Sequence, residues 1–154
     1  MKRIQVSKGE IIQTKGERDS KVYKVLSGLV RSYLIDEKGK EHIFMFAPEG
    51  WVIGDSVPPE KASELYIDAI EASILIQVEK HESKHNIPKL LRRLEVLQRR
   101  IIMLMSASAI ERYEHFVETY PDIVQRVPQR MIASYLGITP EALSTVKRQR
   151  RKEE

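Results

Sequence analysis

Two stretches of this chain hold residues whose types and spacing could do chemistry. The first, His81-Glu82-Ser83-Lys84-His85, is a literal HExxH. On a helix its two histidines fall on one face, where they can hold zinc while the glutamate serves as general base in peptide hydrolysis. Its surroundings oppose that use. A strand over Ile74 to Val78 runs almost into His81, and Asn86 with Pro88 starts a new helix directly after His85. That leaves about one and a half helical turns. Lys80, Ser83 and Lys84 offer no apolar face to bury, and a third ligand would have to come from a residue such as Glu95 or Glu111 on helices with other duties. The stretch reads as an exposed connector, with no metal ligands and no catalytic residues. His42 and His115 are isolated, and no serine has a placed base. The absence of cysteine excludes disulfides, thiolate metal sites and cysteine nucleophiles.

The second stretch, Gln129 to Arg148, QRMIASYLGITPEALSTVKR, has the spacing of a helix-turn-helix. Ala133 is small enough for two helices to cross closely, Gly137 can take the positive φ of a tight turn, and Ile132, Leu136, Ile138, Leu143 and Val146 recur where a small shared core needs them. Thr139 can cap the second helix, with Pro140 at its first position, where a missing N–H costs nothing. That helix would enter a DNA major groove. Gln129, Arg130, Thr139, Glu141, Ser144, Thr145, Lys147, Arg148 and Arg151 are then the candidate contacts to base edges and phosphates. From Pro121 to Lys152 there are seven basic side chains against two acidic, a net +5, whereas residues 1–86 carry 13 basic and 14 acidic. The positive charge is concentrated where phosphates would be met.

Positioning these residues requires the rest of the chain. Six of the seven glycines precede residue 55, and β-branched and aromatic segments run between them. Strands are expected near Ile4–Val6, Ile11–Thr14, Val22–Leu26, Leu29–Ile35, His42–Phe46, Trp51–Ile53, Leu65–Ala69 and Ile74–Val78, with a hairpin loop at Asp36-Glu37-Lys38-Gly39. From Asn86 the pattern becomes helical. Ile87, Leu90, Leu94, Leu97, Ile101, Leu104 and Ser108 alternate at three and four, a heptad seam suited to an identical helix, while Leu91, Ile102 and Met105 form a second face for packing within the chain. The helix is expected to continue from Ser106 to Tyr120 on Ile110, Tyr113, Phe116 and Val117, and to stop at Pro121. Gln149 to Glu154 read as a frayed, charged end. No apolar run is long enough to cross a membrane, and MKRIQVSKGE lacks the apolar centre of a signal peptide, so a cytoplasmic location is expected.

Taken together, these motifs resemble the Crp/Fnr family of bacterial transcription regulators. The pieces that carry the resemblance are Lys8-Gly9-Glu10, Leu26-Ser27-Gly28-Leu29-Val30-Arg31, Pro48-Glu49-Gly50-Trp51-Val52-Ile53-Gly54-Asp55, and Arg126-Val127-Pro128 through Thr145. The resemblance implies an α+β chain: a double-stranded, jelly-roll-like β-roll of the cyclic-nucleotide-binding type over residues 1–85, a dimerisation helix and connector helix over 86–118, and a helix-turn-helix region over 119–154. It places the dimer seam at Ile87, Leu90, Leu94, Leu97, Ile101 and Leu104, and a ligand or partner site at Gly54, Asp55, Ser56, Lys61, Ser63 and Glu64. It implies double-stranded DNA, a second copy and RNA polymerase as partners, and a small-molecule effector that the residues do not identify.

Departures from the family pattern narrow that expectation. Members that bind cyclic AMP meet the ribose with a Gly-Glu pair and the phosphate with a later arginine. Here the pair is Gly54-Asp55, and no arginine stands between Asp55 and Tyr66, leaving Lys61 as the cation in that segment. No cofactor is therefore expected, cyclic nucleotide included, and the cysteines of an iron-sulfur cluster are absent. Thr145 occupies the usual place of a base-reading arginine. The chain stops too soon after the recognition helix for a β-wing, and the helical segment that usually precedes the roll is missing or reduced. A roll that only binds a partner protein, without DNA, is the alternative architecture of function. The zinc alternative has a direct check: elemental analysis of the purified protein is expected to find no stoichiometric zinc.

Overall fold

The computed structural model describes residues 1–80 and 87–153. The HExxH stretch His81–His85 and the Asn86 cap lie outside the described residues, as do the side chains of Ile87 and Leu90. Alternating burial accounts for the first half. Tyr23 and Val25 point inward while Lys24 points out, and Val30, Ile67 and Ala69 face in while their neighbours Arg31 and Asp68 face the other way.

Eight strands result: β1 (Lys2–Val6), β2 (Ile11–Gln13), β3 (Val22–Ser27), β4 (Val30–Ile35), β5 (Glu41–Ala47), β6 (Val52–Gly54), β7 (Tyr66–Ala69) and β8 (Ser73–Val78). They correspond one for one with the segments expected from the sequence. Two antiparallel four-stranded sheets form, in the orders β1-β8-β3-β6 and β2-β7-β4-β5. Between them lie Tyr23, Val25, Ile53 and Leu75 from one sheet and Val30, Ala47, Ile67 and Ala69 from the other. Gly28 closes the β3–β4 corner at φ 91°, where an added Cβ would fall 2.2 Å from Ser73 Oγ and 2.6 Å from the Ala72 carbonyl oxygen. Only glycine satisfies both the backbone angle and the packing.

Contacts divide the chain into two compact units, Met1–Lys84 and His85–Glu154. The second holds α1 (Ile87–Ser106), α2 (Ala109–Thr119), α3 (Gln129–Leu136) and α4 (Pro140–Glu153). Three expectations need correction here. The long helix does not run on from Ser106. Ser108 is the N-cap of α2, its Oγ accepting from the Glu111 amide while the Glu111 carboxylate accepts from the Ser108 amide. This reciprocal capping box makes a helix start cheaper than continuation, so the last heptad position, Ser108, lies outside α1.

The intrachain face of α1 is also different. Leu91, Ile102 and Met105 are exposed, whereas Met103 is buried and Arg100 and Leu104 are half-buried. These three positions sit at helical spacing, with Arg100 and Leu104 against the end of α3 and Met103 lining a cleft with His115 and Thr119 of α2. The chain end does not fray as expected, because α4 continues to Glu153. Arg150, Arg151 and Lys152 favour its C-terminal dipole, and Arg150 folds over the Tyr113 ring.

Gly28→Ala is expected to destabilise the roll by about 2–3 kcal/mol, a fall of roughly 10 °C in Tm. Gly39→Ala, at φ 76° with nothing near its Cβ, should cost only about 1 kcal/mol of backbone strain. Thermal denaturation of the two variants separates steric contact from conformation.

Candidate nucleic-acid interface

Helices α3 and α4 meet around Ile132, Ala133, Leu136, Leu143 and Val146, all buried, with Ile138 half-buried beside them. Gly137 takes φ 65° at the corner, Thr139 Oγ1 accepts from the Ala142 amide at 3.2 Å, and Pro140 opens α4. Helix α2 completes a three-helix cluster. Its Phe116, the following Tyr120 and Tyr135 of α3 form an aromatic triad with centroids 5.4–5.7 Å apart.

With Leu143 and Val146 turned inward, α4 presents Glu141, Ser144, Thr145, Arg148 and Arg151 to solvent. Gln129, Arg130 and Thr139 are exposed near the helix starts. Lys147 is half-buried, its Nζ donating to Gln129 Oε1 at 3.0 Å, so it also ties α4 to the first residue of α3. The hydroxyl protons of Ser144 and Thr145 are directed to the Pro140 and Glu141 carbonyls. Their oxygens therefore face outward as acceptors. Of the exposed recognition positions Arg148 and Arg151 supply the cationic donors. Sequence reasoning grouped these residues on one helix; it did not reveal that Lys147 is shared with α3.

At the second candidate site, the six positions divide by burial. Asp55 is buried and its carboxylate accepts three backbone N–H bonds, from Val57 at 3.0 Å, Glu64 at 2.7 Å and Leu65 at 2.9 Å. Ser63 is buried, with Oγ donating to the Thr14 carbonyl and its own amide donating to the Glu17 carbonyl. Gly54 pairs with Val22, and a Cβ there would lie 3.0 Å from the Lys21 carbonyl oxygen. Ser56, Lys61 and Glu64 are exposed.

Two cations that sequence reasoning passed over stand in the same unit. Lys80 Nζ donates to Ser20 Oγ and to the Val57 carbonyl, and burial draws its pKa below the ordinary lysine value. Arg31, buried on β4, is bidentate to Asp68 at 2.8 and 2.9 Å, bonds Glu41 at 2.6 Å, and stacks over the Tyr33 ring. Burial first, then the Asp68 charge, pushes the Tyr33 phenol up to about 12. Cross-strand pairing of Arg31 with Asp68 depends on register, which local sequence does not display.

A family model described as the cyclic nucleotide-binding domain matches residues 3–83, just over half of the chain. The chain belongs to the cyclic nucleotide-binding domain family. Two curated relatives are bacterial regulators: electron transport regulator A of Shewanella oneidensis, 26% identical, and regulatory protein HlyX of Actinobacillus pleuropneumoniae, 25% identical. Each alignment covers 90% of this chain, but only 64% and 67% of the relatives' own lengths. FixK2 from Bradyrhizobium japonicum superposes with a TM-score of 0.79 at 22% identity, over 99% of this chain and 85% of that one. A CRP/FNR-family transcriptional regulator from Thermus thermophilus gives 0.72 at 18% identity, over 99% and 87%. The architecture is the Crp/Fnr fold. No helix among the described residues is long and apolar enough to cross a membrane.

Within this cyclic nucleotide-binding domain, the acid after Gly54 serves the loop itself. Asp55→Ala is expected to lower unfolding stability by about 2–3 kcal/mol, the loss of a charge-assisted acceptor from buried amides. Urea denaturation measures it, and a change under about 0.5 kcal/mol would mean the loop holds without the carboxylate.

Proposed function

We propose that this chain is a sequence-specific, DNA-binding transcription regulator of the Crp/Fnr type that acts in the cytoplasm as a homodimer and catalyses no reaction. The reading is carried by one observation: α4 buries Leu143 and Val146 and leaves Glu141, Ser144, Thr145, Arg148 and Arg151 together in solvent. A helix held by a short turn with that polar and cationic face fits a major groove, where arginines meet phosphates or guanine and acceptor oxygens meet the amino groups of cytosine and adenine.

The dimer rests on α1. Leu91, Leu94, Ile101, Ile102 and Met105 are all more than half exposed in the single chain, and a second copy of the same helix would cover them. Leu97 is half-buried, and Leu104 already packs beside Gly137, so the seam lies nearer Leu94 and Ile101 than a strict heptad would put it. Two-fold symmetry would then set two α4 helices on half-sites about 34 Å apart.

The roll is proposed to work without cyclic nucleotide or other cofactor. The Asp55 carboxylate is engaged by three amides, Arg31 is held by Asp68 and Glu41, and Lys61 is solvated, so neither of these two cations is held in place for a cyclic phosphate. RNA polymerase as a further partner follows from the regulator reading and is part of the same proposal.

Selection from a random duplex pool, followed by anisotropy on the enriched sequence across a salt series, tests the reading. A two-fold symmetric site is expected, bound at least about a thousandfold more tightly than bulk DNA. Arg148→Ala should weaken it about tenfold or more and reduce the salt slope by about one. Leu94→Glu with Ile101→Glu should give a monomer by sedimentation and lose the symmetric site. A pool without consensus would sink the DNA reading, and a thermal shift with millimolar cyclic AMP would sink the cofactor reading.

A further inference from the structure

The last four carbonyls of a helix have no partner inside it, and a buried helix end must find them elsewhere. At the end of α3, which is also the entrance to the turn before α4, each can be followed. The Ala133 carbonyl accepts from the Ile138 amide at 3.0 Å, and the Ser134 carbonyl accepts from the Gly137 amide at 3.2 Å, both made possible by the left-handed Gly137. The Tyr135 carbonyl accepts from Arg100 Nη2 at 3.3 Å, and the Leu136 carbonyl from Arg112 Nη1 at 3.1 Å. Half of the α3 terminus is thus completed by side chains of α1 and α2.

Arg112 does more than cap. Its Nη2 donates to the Leu104 carbonyl at 2.8 Å and its Nε to the Ala107 carbonyl at 3.0 Å, which belong to the end of α1 and the break after it. One planar guanidinium therefore bonds the C-terminal ends of two helices, where the dipoles of both favour a cation. Arg100 lies with its guanidinium 4.0 Å from the centroid of the Tyr135 ring, and burial lowers its pKa. The Gly137 turn sits directly against this group: an added Cβ would be 3.6 Å from Arg112 Nη1 and 3.7 Å from Leu104 Cδ2.

The geometry points to Arg112, assisted by Arg100, as a positioning residue that sets the direction of the recognition helix α4 relative to the dimer helix α1. Neither arginine is on the solvent face of α4. The consequence for DNA rests on the reading given under Proposed function, whereas the positioning itself does not. Because the two α4 helices of a dimer would be fixed only through their own α1 ends, loosening this joint should relax half-site spacing without altering contacts to phosphate.

The test uses the full chain, which has no cysteine of its own. Gln98→Cys on α1 and Gln149→Cys on α4, both exposed, carry a spin-label pair whose distance distribution is read by pulsed EPR in an excess of unlabelled chain. A single narrow distribution is expected without further change. Arg112→Met and Arg100→Met should broaden or displace it while circular dichroism retains the helical content, with Arg112→Lys intermediate because a lone ammonium cannot reach all three carbonyls. On the selected operator, Arg112→Met should bind about ten- to a hundredfold more weakly and lose its preference among half-site spacings, with affinity for bulk DNA unchanged. If Arg112→Met fails to fold, Arg112→Lys and Arg100→Met decide the matter. Distributions that superimpose on the parent in the folded variants would overturn the proposal, as would an equal loss of affinity on operator and bulk DNA. If no operator is recovered yet the distances respond, the positioning stands and the DNA reading falls.

Discussion

Backbone amides and carbonyls that are removed from water must be hydrogen-bonded, and this requirement shapes each unusual feature of the molecule. In the sheets it is met by the ladders. Elsewhere side chains are recruited: the Asp55 carboxylate for three loop amides, Ser108 and Glu111 for the start of α2, and Thr139 for the start of α4. At helix ends the demand is for donors, and arginine meets it because one guanidinium presents several N–H groups in a fixed plane. At the ends of α1 and α3, Arg112 stands between their carbonyls and donates to both.

Some ionisable side chains are committed to internal bonds in both units, as Arg100 and Arg112 are at the end of α3. In the roll, ionisable groups are turned to internal use: Arg31 is held between Asp68 and Glu41, and Lys80 spans Ser20 and the Val57 carbonyl. A buried cation paired in this way is weak support for stability in itself, but removing one member would strand the other in a dry site. On α4 most charges are left outside, while Lys147 and Arg150 lean back onto neighbouring helices. A membership in the cyclic nucleotide-binding domain family describes the fold of the roll.

Much of this was legible in local pattern. Glycine punctuation and alternation marked eight strands, and the register of Ala133, Gly137, Thr139 and Pro140 marked the turn and cap of the helix pair. The break after Ser106 was also written in the chain, as Ser108 with Glu111 three residues on, but the apolar repeat running through it gave the stronger signal for a continuous helix. The face of α1 that packs inward departs from the apolar pattern for a related reason. Periodicity counts apolar residues, whereas here an arginine, Arg100, occupies the buried face beside Met103 by stacking on Tyr135 and bonding its carbonyl.

Properties carried within a few residues follow from local sequence: strand alternation, the left-handed Gly137 turn, the caps, and a basic C-terminal segment on an otherwise balanced chain. Such features depend on local sterics and on covalent spacing, so they survive without knowledge of the fold. Tertiary structure alone decided which partners those residues meet: Arg31 with Asp68, 37 positions away, Arg112 with the carbonyl of Leu136, 24 away, and Lys147 with Gln129, 18 away. Hydrogen bonds and ion pairs act over about 3 Å, and only the folded chain brings groups so distant in sequence within that reach.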